Sequence, residues 1–394
     1  METLWHIYPL GATGAPIREW TDPGTDQHRL KKLIPWLTHA KSLADTILLG
    51  PIFTSLTHGY DTIDHYTIDP RLGTNDDFDQ LIGEAGEHGL GIILDGVFNH
   101  VAKGHPLEDH VARDEQGNPR VFEGHGGLLE LDHNDPVVVS YISDVISYWL
   151  DRGVAGWRMD AAYRMNPQFW EKILPPIKEQ YPEAWFLGEV IHGDYPSFVG
   201  EQRLDSVTQY ELWKATWSSL KDENFYELDW SLQRHDIFLE TFIPNTFIGN
   251  HDVERIASTL GHTKAAVAAL ILCTTPGIPS LYYGDEFGWR GVKGEGFEAD
   301  DPLRPPLPDN PEDAMTPDAV EILNIYRWAA NFRREHPWLK TARTTVKDLT
   351  NTSLTYETHD PSHAITVTLD IAQKKAAVEI NGEVVWTLPE LSGD

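Results

Sequence analysis

Short apolar runs alternate with longer amphipathic segments along most of the chain. The short runs are rich in β-branched and aromatic residues and predict eight strands, at residues 4–8, 46–49, 91–95, 156–160, 185–189, 206–210, 246–250 and 278–282. Helical spacing between them predicts helices that include residues 26–40, 76–88, 136–151, 166–181, 264–273 and 317–334. Eight such units favour an α/β fold, a closed (β/α)8 or TIM barrel, whose functional residues lie at the carboxyl ends of the strands.

The pattern changes after Arg334 to an alternation of apolar and polar residues with a period of two. Runs at residues 353–357, 364–369, 376–380 and 383–386 predict strands of a small antiparallel β domain. Asn381 and Gly382 predict a tight turn between the last two. We therefore expect a barrel at residues 1–338 and a C-terminal β domain at residues 339–394.

The composition argues against several classes of function. The chain has 31 basic and 61 acidic residues, a net charge of −30, without a basic run, so nucleic acid and anionic membranes are poor partners. Cys273 is the single cysteine and cannot form an internal disulfide. The apolar runs fall short of membrane-spanning length, and the N-terminus lacks the pattern of a signal peptide. We expect a cytoplasmic protein with no membrane and no nucleic-acid partner.

Two of the predicted strands end abruptly on an acidic residue, at Asp160 and at Glu189, with a predicted helix between them. Strand, helix and strand in this order imply a parallel pair with a right-handed crossover, so both carboxyl groups emerge at one edge of the sheet. Taken singly, a buried aspartate beside an arginine is more often a structural ion pair, and a strand-end glutamate is often solvated. Two acids facing one crevice indicate acid–base or nucleophilic chemistry.

Six motifs stand in a fixed order along the chain: GYDTIDHYTIDPRLGT at 59–74, DGVFNH at 95–100, GWRMD at 156–160, GE at 188–189, GNHD at 249–252 and GIPSLYYGDE at 277–286. In this order they resemble the motifs of the α-amylase superfamily, glycoside hydrolase family thirteen. Three further stretches, LDHNDP at 131–136, EVIH at 189–192 and GEQRLDS at 200–206, resemble the neopullulanase, cyclomaltodextrinase and maltogenic amylase group. The resemblance covers essentially the whole chain and implies retaining hydrolysis of α-glucosidic bonds.

The resemblance also implies roles for single residues. Asp160 would be the nucleophile, Glu189 the general acid and base, and Asp252 the carboxylate that bonds the 2- and 3-hydroxyls of the sugar. The predicted substrate-binding residues are Tyr60, Asp61, His100, Arg158, His251 and Arg304. Among them the tyrosine would stack on the sugar and the histidines would hydrogen-bond it. Taken singly, each histidine is more often an ordinary hydrogen-bonded residue, and the tyrosine a core residue.

The catalytic pair needs opposite protonation states. Arg158 shares a strand face with Asp160 and is expected to hold that carboxylate ionised. Glu189 has apolar neighbours and no cation nearby in the sequence, so burial is expected to keep it protonated. Among the aromatic residues, Trp289 in a Gly-rich loop is the strongest candidate for a sugar platform.

Departures from the superfamily pattern bear on substrate and metal. Ala161 to Arg164 stand where many α-amylases carry Lys-His, which disfavours a typical endo-acting starch enzyme. The domain inserted after the third strand is reduced to residues 101–131, a Gly- and His-rich segment predicted to be an active-site loop. Asn99 matches a calcium-ligand position, but the insertion that supplies the other ligands is short. We expect no cofactor and no essential metal, with calcium as the alternative.

The N-terminal module used for dimerisation is missing, which favours a monomer.

The sequence thus predicts a retaining α-glycoside hydrolase that cleaves α-1,4-glucosidic bonds in maltooligosaccharides or related α-glucans by double displacement. An exo-acting α-glucosidase and an α-glucan transglycosylase are alternatives that would use the same carboxylates. A non-catalytic carbohydrate-binding protein is a third, and it predicts that a catalytic carboxylate is missing. Asp160, Glu189 and Asp252 are all present.

Overall fold

A barrel of eight parallel strands forms the larger part of the computed structural model, which describes residues 1–18 and 27–391. The strands up to the end of the barrel are β1 (Leu4–Ile7), β2 (Thr46–Leu49), β3 (Phe53–Ser55), β4 (Thr62–Ile68), β5 (Gly91–Gly96), β6 (His100–Ala102), β7 (Leu128–Glu130), β8 (Gly156–Met159), β9 (Trp185–Gly188), β10 (Ser206–Val207), β11 (Asn245–Phe247) and β12 (Ile278–Tyr282). The barrel order is β1, β2, β5, β8, β9, β10, β11 and β12. β12 pairs with β1, and a parallel bridge between Thr208 and Asn245 joins β10 to β11, which closes the barrel. β3 with β4 and β6 with β7 form hairpins outside it.

Helices connect the barrel strands. They are α1 (Pro9–Ala12), α2 (Leu37–Leu43), α3 (Asn75–Glu87), α4 (Pro136–Asp151), α5 (Pro167–Gln180), α6 (Tyr210–Lys221), α7 (Tyr226–Phe238), α8 (Ile256–Thr274) and α9 (Pro317–Glu335). Short 3-10 helices lie at Arg29–Trp36, Phe122–Gly124, Ala162–Arg164, Tyr195–Phe198, Asp285–Phe287, Gly296–Glu298, Asp301–Leu303, Pro311–Ala314 and Pro337–Thr341. The sequence analysis did not predict α1, α6 and α7.

The helix starts follow local capping chemistry. Thr74 and Asp77 form a capping box at α3, and the side chains of Asp135 and Asn166 cap α4 and α5. The helix predicted at residues 26–40 is confirmed only at its end. Asp26 lies outside the described residues, Arg29–Trp36 form a 3-10 helix, and residues 37–40 belong to α2. Pro35 at the end of that segment has no N–H to donate, which disfavours a continuous α-helix.

Helix α8 is longer than predicted. It begins at Ile256 rather than at residue 264, and Gly261, with a φ of 76°, breaks it between the two positions. Its 19 residues are apolar enough to cross a membrane by length and composition, contrary to the expectation that no run reaches that length. In this fold 67% of its most apolar stretch is buried, as in a helix that packs against a soluble core.

A five-stranded antiparallel sheet follows the barrel, with β13 (Arg343–Leu349), β14 (Ser353–His359), β15 (Ala364–Asp370), β16 (Lys375–Ile380) and β17 (Glu383–Thr387) in sequential order. The buried Tyr356 places its hydroxyl 2.6 Å from Thr274 Oγ1 and so ties the sheet to α8. β13 was not predicted, because only Thr344 in it is buried and its apolar alternation is weak. The fold class predicted from the sequence, a barrel with a C-terminal antiparallel β domain, is confirmed.

The packing between β8 and β9 sets the position of the site. A Cβ atom on Gly156 would lie 2.1 Å from the carbonyl oxygen of Trp185, so only glycine allows this approach. The resulting register pairs Met159 with Gly188, and the next residue, Glu189, donates its N–H to Met159 O at 2.9 Å. Asp160 and Glu189 therefore leave the barrel side by side.

Candidate active site

A cleft of about 690 Å³ lies at the carboxyl ends of the barrel strands, where a TIM barrel carries its site. Its volume is in the range of small-molecule sites. Six of the nine predicted site residues line it: Tyr60, His100, Asp160, Glu189, Asp252 and Arg304. The other three, Asp61, Arg158 and His251, are buried behind its wall. The structure thus brings most of the predicted residues to one place.

Arg158 lies at the centre of the cluster beneath the cleft. Its Nη1 is 2.6 Å from both carboxylate oxygens of Asp95 and 3.3 Å from Asp160 Oδ1. Its Nη2 donates to Glu189 Oε1 at 2.6 Å. One buried guanidinium therefore serves three buried carboxyl groups. Burial alone would lower the pKa of Arg158, but Asp95 and Glu189 raise it well above its usual value, so the arginine stays charged.

This geometry corrects the predicted protonation of the pair. Glu189 was expected to have no cation nearby, yet it holds the shorter bond to Arg158, and Asp160 holds the longer one. Burial and the charge of Glu189 raise the pKa of Asp160 well above its usual range. Burial also raises the pKa of Asp95, to about 6. The pKa of Asp160 is thus raised, although Arg158 was expected to hold this carboxylate ionised.

Backbone geometry next to Asp160 adds a second contact to Glu189. Ala161 adopts left-handed angles, with φ of 47° and ψ of 35°, and donates its N–H to Glu189 Oε2 at 3.0 Å. Such angles are costly for a residue with a Cβ, and strained backbone of this kind clusters at functional sites. The hydroxyl of Tyr210 lies 3.3 Å from Glu189 Oε1. Both oxygens of Glu189 are thus held by fixed donors.

Asp252 lies on another part of the cleft wall, after β11, and is half-buried. Its Oδ1 accepts from Arg304 Nη2 at 3.0 Å, and its Oδ2 lies 3.1 Å from His251 Nε2. Arg304 also donates through Nε to the carbonyl oxygen of His251 at 3.0 Å, and its guanidinium lies 4.4 Å from the ring centre of Tyr8. These bonds orient the Asp252 carboxylate toward the cleft from two sides.

Tyr60 is braced from behind by two residues. Its ring stacks on His251 at 5.2 Å with an angle of 5°, and its hydroxyl donates to Asp95 Oδ2 at 3.0 Å and contacts His251 Nε2. Burial and the charge of Asp95 raise the pKa of Tyr60. Burial and the Arg158 charge lower the pKa of His251, which keeps that ring neutral. His251 thus supports Tyr60 and Asp252 and does not line the cleft itself.

The structure gives two other predicted ligands local partners. His100 Nε2 lies 3.1 Å from the carbonyl oxygen of Tyr60, its ring stacks on Phe122 at 4.3 Å, and burial lowers its pKa to about 4. Asp61 does not contact the cleft, contrary to the prediction. Its carboxylate oxygens accept from the backbone N–H of Thr57 at 3.0 Å and from the Thr57 hydroxyl at 2.5 Å, so they cap a turn.

Several residues that sequence reasoning missed also line the cleft: Phe122, Tyr163, Trp213 and Phe297. Trp289, the predicted platform, instead packs against Tyr283 and Phe287. The Gly-rich loop was the correct signal, but the ring it presents is Phe297, which is 65% exposed. The predicted active-site loop, residues 101–131, folds as the β6–β7 hairpin and contributes Phe122, Glu123 and His125 to the lining.

The candidate calcium ligand, Asn99, is engaged within the protein. Its side-chain Nδ2 lies 3.2 Å from His100 Nδ1, and its backbone carbonyl oxygen accepts from the N–H of Leu131 at 3.0 Å. Within residues 1–18 and 27–391, no three His, Cys, Asp or Glu side chains converge as a metal-binding group.

Comparison with known proteins places this arrangement in a family. The sequence pattern described as Alpha amylase, catalytic domain, matches residues 30–123 and 120–374. Alpha-amylase 3 of Dictyoglomus thermophilum is 29% identical over 317 residues, which cover 70% of this chain and 64% of that protein. Neopullulanase 2 of Thermoactinomyces vulgaris is 30% identical over 334 residues, which cover 73% of this chain and 57% of that protein.

Solved structures share the fold. The alpha-amylase from H.orenii superimposes with a TM-score of 0.76 at 24% identity and covers 99% of this chain and 98% of its own. The chain spans less than two thirds of the length of the curated relatives named above. The family pattern extends over most of the barrel and into the C-terminal sheet, and the chain belongs to the alpha-amylase family.

Proposed function

We propose that this chain is a retaining α-glycoside hydrolase that cleaves α-1,4-glucosidic bonds in maltooligosaccharides. The observation that carries the proposal is the placement of Asp160 and Glu189 around one guanidinium in a cleft whose wall also presents Asp252. Two carboxyl groups within the span of a single guanidinium are close enough for covalent attack on one side of a sugar and proton transfer on the other.

In the first step Asp160 would attack C1 of the sugar while Glu189 gives its proton to the glycosidic oxygen. The C1–O bond to the leaving group breaks as the Asp160–C1 bond forms, which leaves a glycosyl-enzyme ester and an ionised Glu189. In the second step Glu189 takes a proton from water, the water oxygen attacks C1, and Asp160 is released as a carboxylate. The anomeric configuration is inverted twice and so retained.

The first step needs a proton on Glu189 and a negative charge on Asp160. Positive charge that develops at C1 favours ionised Asp160, because opposite charges at short distance stabilise each other. The Arg158 guanidinium contacts both carboxyl groups and so stays bonded to the cluster in either state. Arg158 would therefore support the ionised form of Asp160 in the first step and that of Glu189 after it.

Asp252 would complete the site by accepting hydrogen bonds from two hydroxyls of the sugar ring in the transition state. Arg304 and His251 already fix its orientation from behind. Tyr60, held parallel to His251, offers its outer face to the apolar face of the same sugar.

The stereochemistry of the first product tests the proposal. Proton NMR of maltotetraose hydrolysis should show the α-anomer before mutarotation, and a β-anomer would refute double displacement. The same reaction separates the alternatives, because glucose alone indicates exo action and products longer than the substrate indicate transfer.

Substitution of Glu189 by Gln tests the assigned acid. Cleavage of maltotriose should fall by about 10²-fold or more, because the alkoxide leaving group needs a proton. Release of fluoride from α-glucosyl fluoride should fall far less, since fluoride leaves without protonation. Glu286→Gln is the matched control: this glutamate is buried outside the cleft and accepts from Trp5 and His39. An equal loss on both substrates would contradict the role of Glu189.

A cytoplasmic location, a monomeric state and independence from metal stay predictions of the sequence.

A further inference from the structure

A side-chain hydrogen bond at the rim of the cleft joins two neighbouring segments of its wall. Tyr163 Oη donates to Glu123 Oε1 at 2.8 Å, and both side chains line the cleft. Glu123 belongs to the 3-10 turn Phe122–Gly124 in the β6–β7 loop, and Tyr163 to the turn Ala162–Arg164 after β8. We call this pair the Glu123–Tyr163 clasp.

The two segments are also joined below the clasp, so the wall around it is firm. Arg164 Nη2 donates to Glu130 Oε1 at 3.1 Å, and Arg120 lies 2.7 Å from the other oxygen of the same carboxylate. Glu130 is buried at the base of the loop. At the tip, Phe122 next to the clasp stacks on His100. The clasp therefore adds a contact at the rim of the cleft. It lies above the ion pairs of Glu130 and beside the stack of Phe122 on His100.

The chemistry of the pair favours a closed state. Burial and the hydrogen bond to Glu123 raise the pKa of Tyr163, so the phenol keeps the proton that it donates. A hydrogen bond to a charged acceptor is among the stronger kinds. Glu123 is exposed to solvent, however, so the bond can be exchanged for water when a ligand presses against it. The clasp is therefore closed at rest and able to open.

The backbone places the clasp beside Glu189. The N–H of Tyr163 donates to the carbonyl oxygen of Glu189 at 3.1 Å, so the turn that carries the tyrosine is tied to the residue assigned as the acid. Exposed Ile191 and His192 follow on the same side, and the His192 ring lies 5.8 Å from that of Tyr163. Since the acid stands next to the departing oxygen, the leaving group extends toward this part of the wall.

We propose that the Glu123–Tyr163 clasp determines leaving-group length: closed, it restricts the departing part of an α-glucan to a short piece. This inference rests on the proposed function. Tyr163 lies in the stretch from Ala161 to Arg164, which stands where many α-amylases carry Lys-His. A longer leaving group must break the hydrogen bond or displace both side chains, whereas a short one fits inside the closed rim. The clasp thus sets which bond of a chain is cut without touching the reacting atoms.

Reducing-end-labelled maltoheptaose reports leaving-group length directly, because the label stays on the departing fragment. The wild-type enzyme should release mainly labelled glucose and maltose at early times. Tyr163→Phe and Glu123→Ala should each raise the ratio of longer labelled fragments to these two by about tenfold, the cost of one charged hydrogen bond. Glu123→Gln keeps an acceptor for the phenol but not its charge, so its ratio should lie between those of the wild-type protein and Glu123→Ala.

The double variant Tyr163→Phe/Glu123→Ala separates a clasp from two independent contacts. If the residues act through one bond, the double variant should change the ratio no more than either single variant. Tyr181→Phe is the matched control, since Tyr181 also donates to a carboxylate, that of Asp151, at the opposite end of the barrel. It should leave the ratio unchanged.

Three results would overturn the inference: an unchanged ratio in both single variants, multiplicative effects in the double variant, or an equal change in Tyr181→Phe. The proposed function fails in a different way, which is the absence of any labelled fragment from the wild-type enzyme. That result would remove both proposals, whereas cleavage with an unaltered product pattern removes only the clasp.

Discussion

The Nη2 atom of Arg158 lies 2.6 Å from Oε1 of Glu189, so the residue assigned as proton donor makes a short bond to the central cation of the site. The Nη1 atom of the same guanidinium lies 2.6 Å from both carboxylate oxygens of Asp95 and 3.3 Å from Asp160 Oδ1. Asp95 and the two carboxyl groups of the proposed catalytic pair therefore share one positive charge. A separate environment for each acid, as the sequence suggested, is not what the fold provides.

Substitution of Arg158 by Met should destabilise the protein in a pH-dependent way. Removing the cation leaves buried carboxylates unpaired, a loss of about 3–5 kcal/mol in the free energy of unfolding near pH 7.5. Without the guanidinium the carboxyl pKa values rise further above their unfolded values, so the folded state binds more protons than the unfolded state and stability falls as pH rises. The loss should therefore be smaller at pH 5, where Asp95 and Asp160 are more fully protonated.

Urea unfolding of the wild-type protein, Arg158→Met and Arg158→Lys at the two pH values measures this effect. Lysine keeps the charge but not the planar fork that contacts several carboxylates, so it should restore only part of the stability. A loss of equal size at pH 5 and pH 7.5 would show that Arg158 acts through packing and not through charge.

The strand ends could be predicted from the sequence, but the contacts behind them could not. Asp160 and Glu189 close short apolar runs, and the alternation of strands and helices brings such ends to one edge. The bond between Arg158 and Glu189 joins residues 31 positions apart on neighbouring strands, so no local neighbourhood reveals it. Sequence proximity therefore paired the cation mainly with Asp160, whereas the register pairs it more closely with Glu189.

Loop side chains were the other limit of sequence reasoning. Asp61 stands next to Tyr60 in the motif, but turn geometry directs its carboxylate to Thr57 and away from the cleft. The Gly-rich loop after β12 was correctly identified, yet which of its rings faces the cleft depends on the fold of the loop. Trp289 turns into the core, and Phe297 faces the cleft.

The left-handed backbone of Ala161 predicts a graded response to substitution. Ala161→Gly relieves a backbone strain of about 1 kcal/mol, which the larger conformational entropy of glycine in the unfolded chain partly offsets. The variant keeps the N–H that donates to Glu189. Its activity on maltotriose should stay within about threefold of wild type. Ala161→Val places a β-branched residue at positive φ, which should shift the turn and lower kcat by at least about tenfold. Equal kcat for the valine and glycine variants would show that the turn geometry is not needed.

Buried neutral histidines predict a loss of stability in mild acid. Burial lowers the pKa of His65 and His235 to about 4, below the usual value of 6.5 in the unfolded chain. Between pH 6.5 and 4 the unfolded state binds protons that the folded state does not, so stability falls as pH falls. By pH 5 each such histidine should cost about 2 kcal/mol.

Denaturant unfolding between pH 7.5 and pH 5 measures that slope. His235 Nε2 donates to the carbonyl oxygen of Pro276 at 3.1 Å, and its Nδ1 accepts weakly from Gln209 Nε2 at 3.5 Å. His235→Gln removes one titrating group and retains a donor near the same carbonyl. The variant should lose stability at neutral pH and show a shallower decline in acid. A decline as steep as that of the wild-type protein would exclude His235 as a contributor.

Phe297 should act as a sugar platform at the rim of the cleft. Its ring is 65% exposed, lies in the cleft lining and is held at 4.3 Å by the Arg18 guanidinium, which itself pairs with Asp301 at 2.6 Å. A large exposed ring with a fixed orientation suits stacking on the apolar face of glucose, a contact of about 0.5–1.5 kcal/mol. Phe297→Ala should therefore raise KM for maltoheptaose by about threefold to tenfold with kcat nearly unchanged, because the contact is equal in ground and transition states.

Trp230→Ala is the matched control, since Trp230 is 60% exposed on α7 and lies outside the cleft lining. A rise in KM of the same size in both variants, or in neither, would mean that Phe297 does not bind sugar.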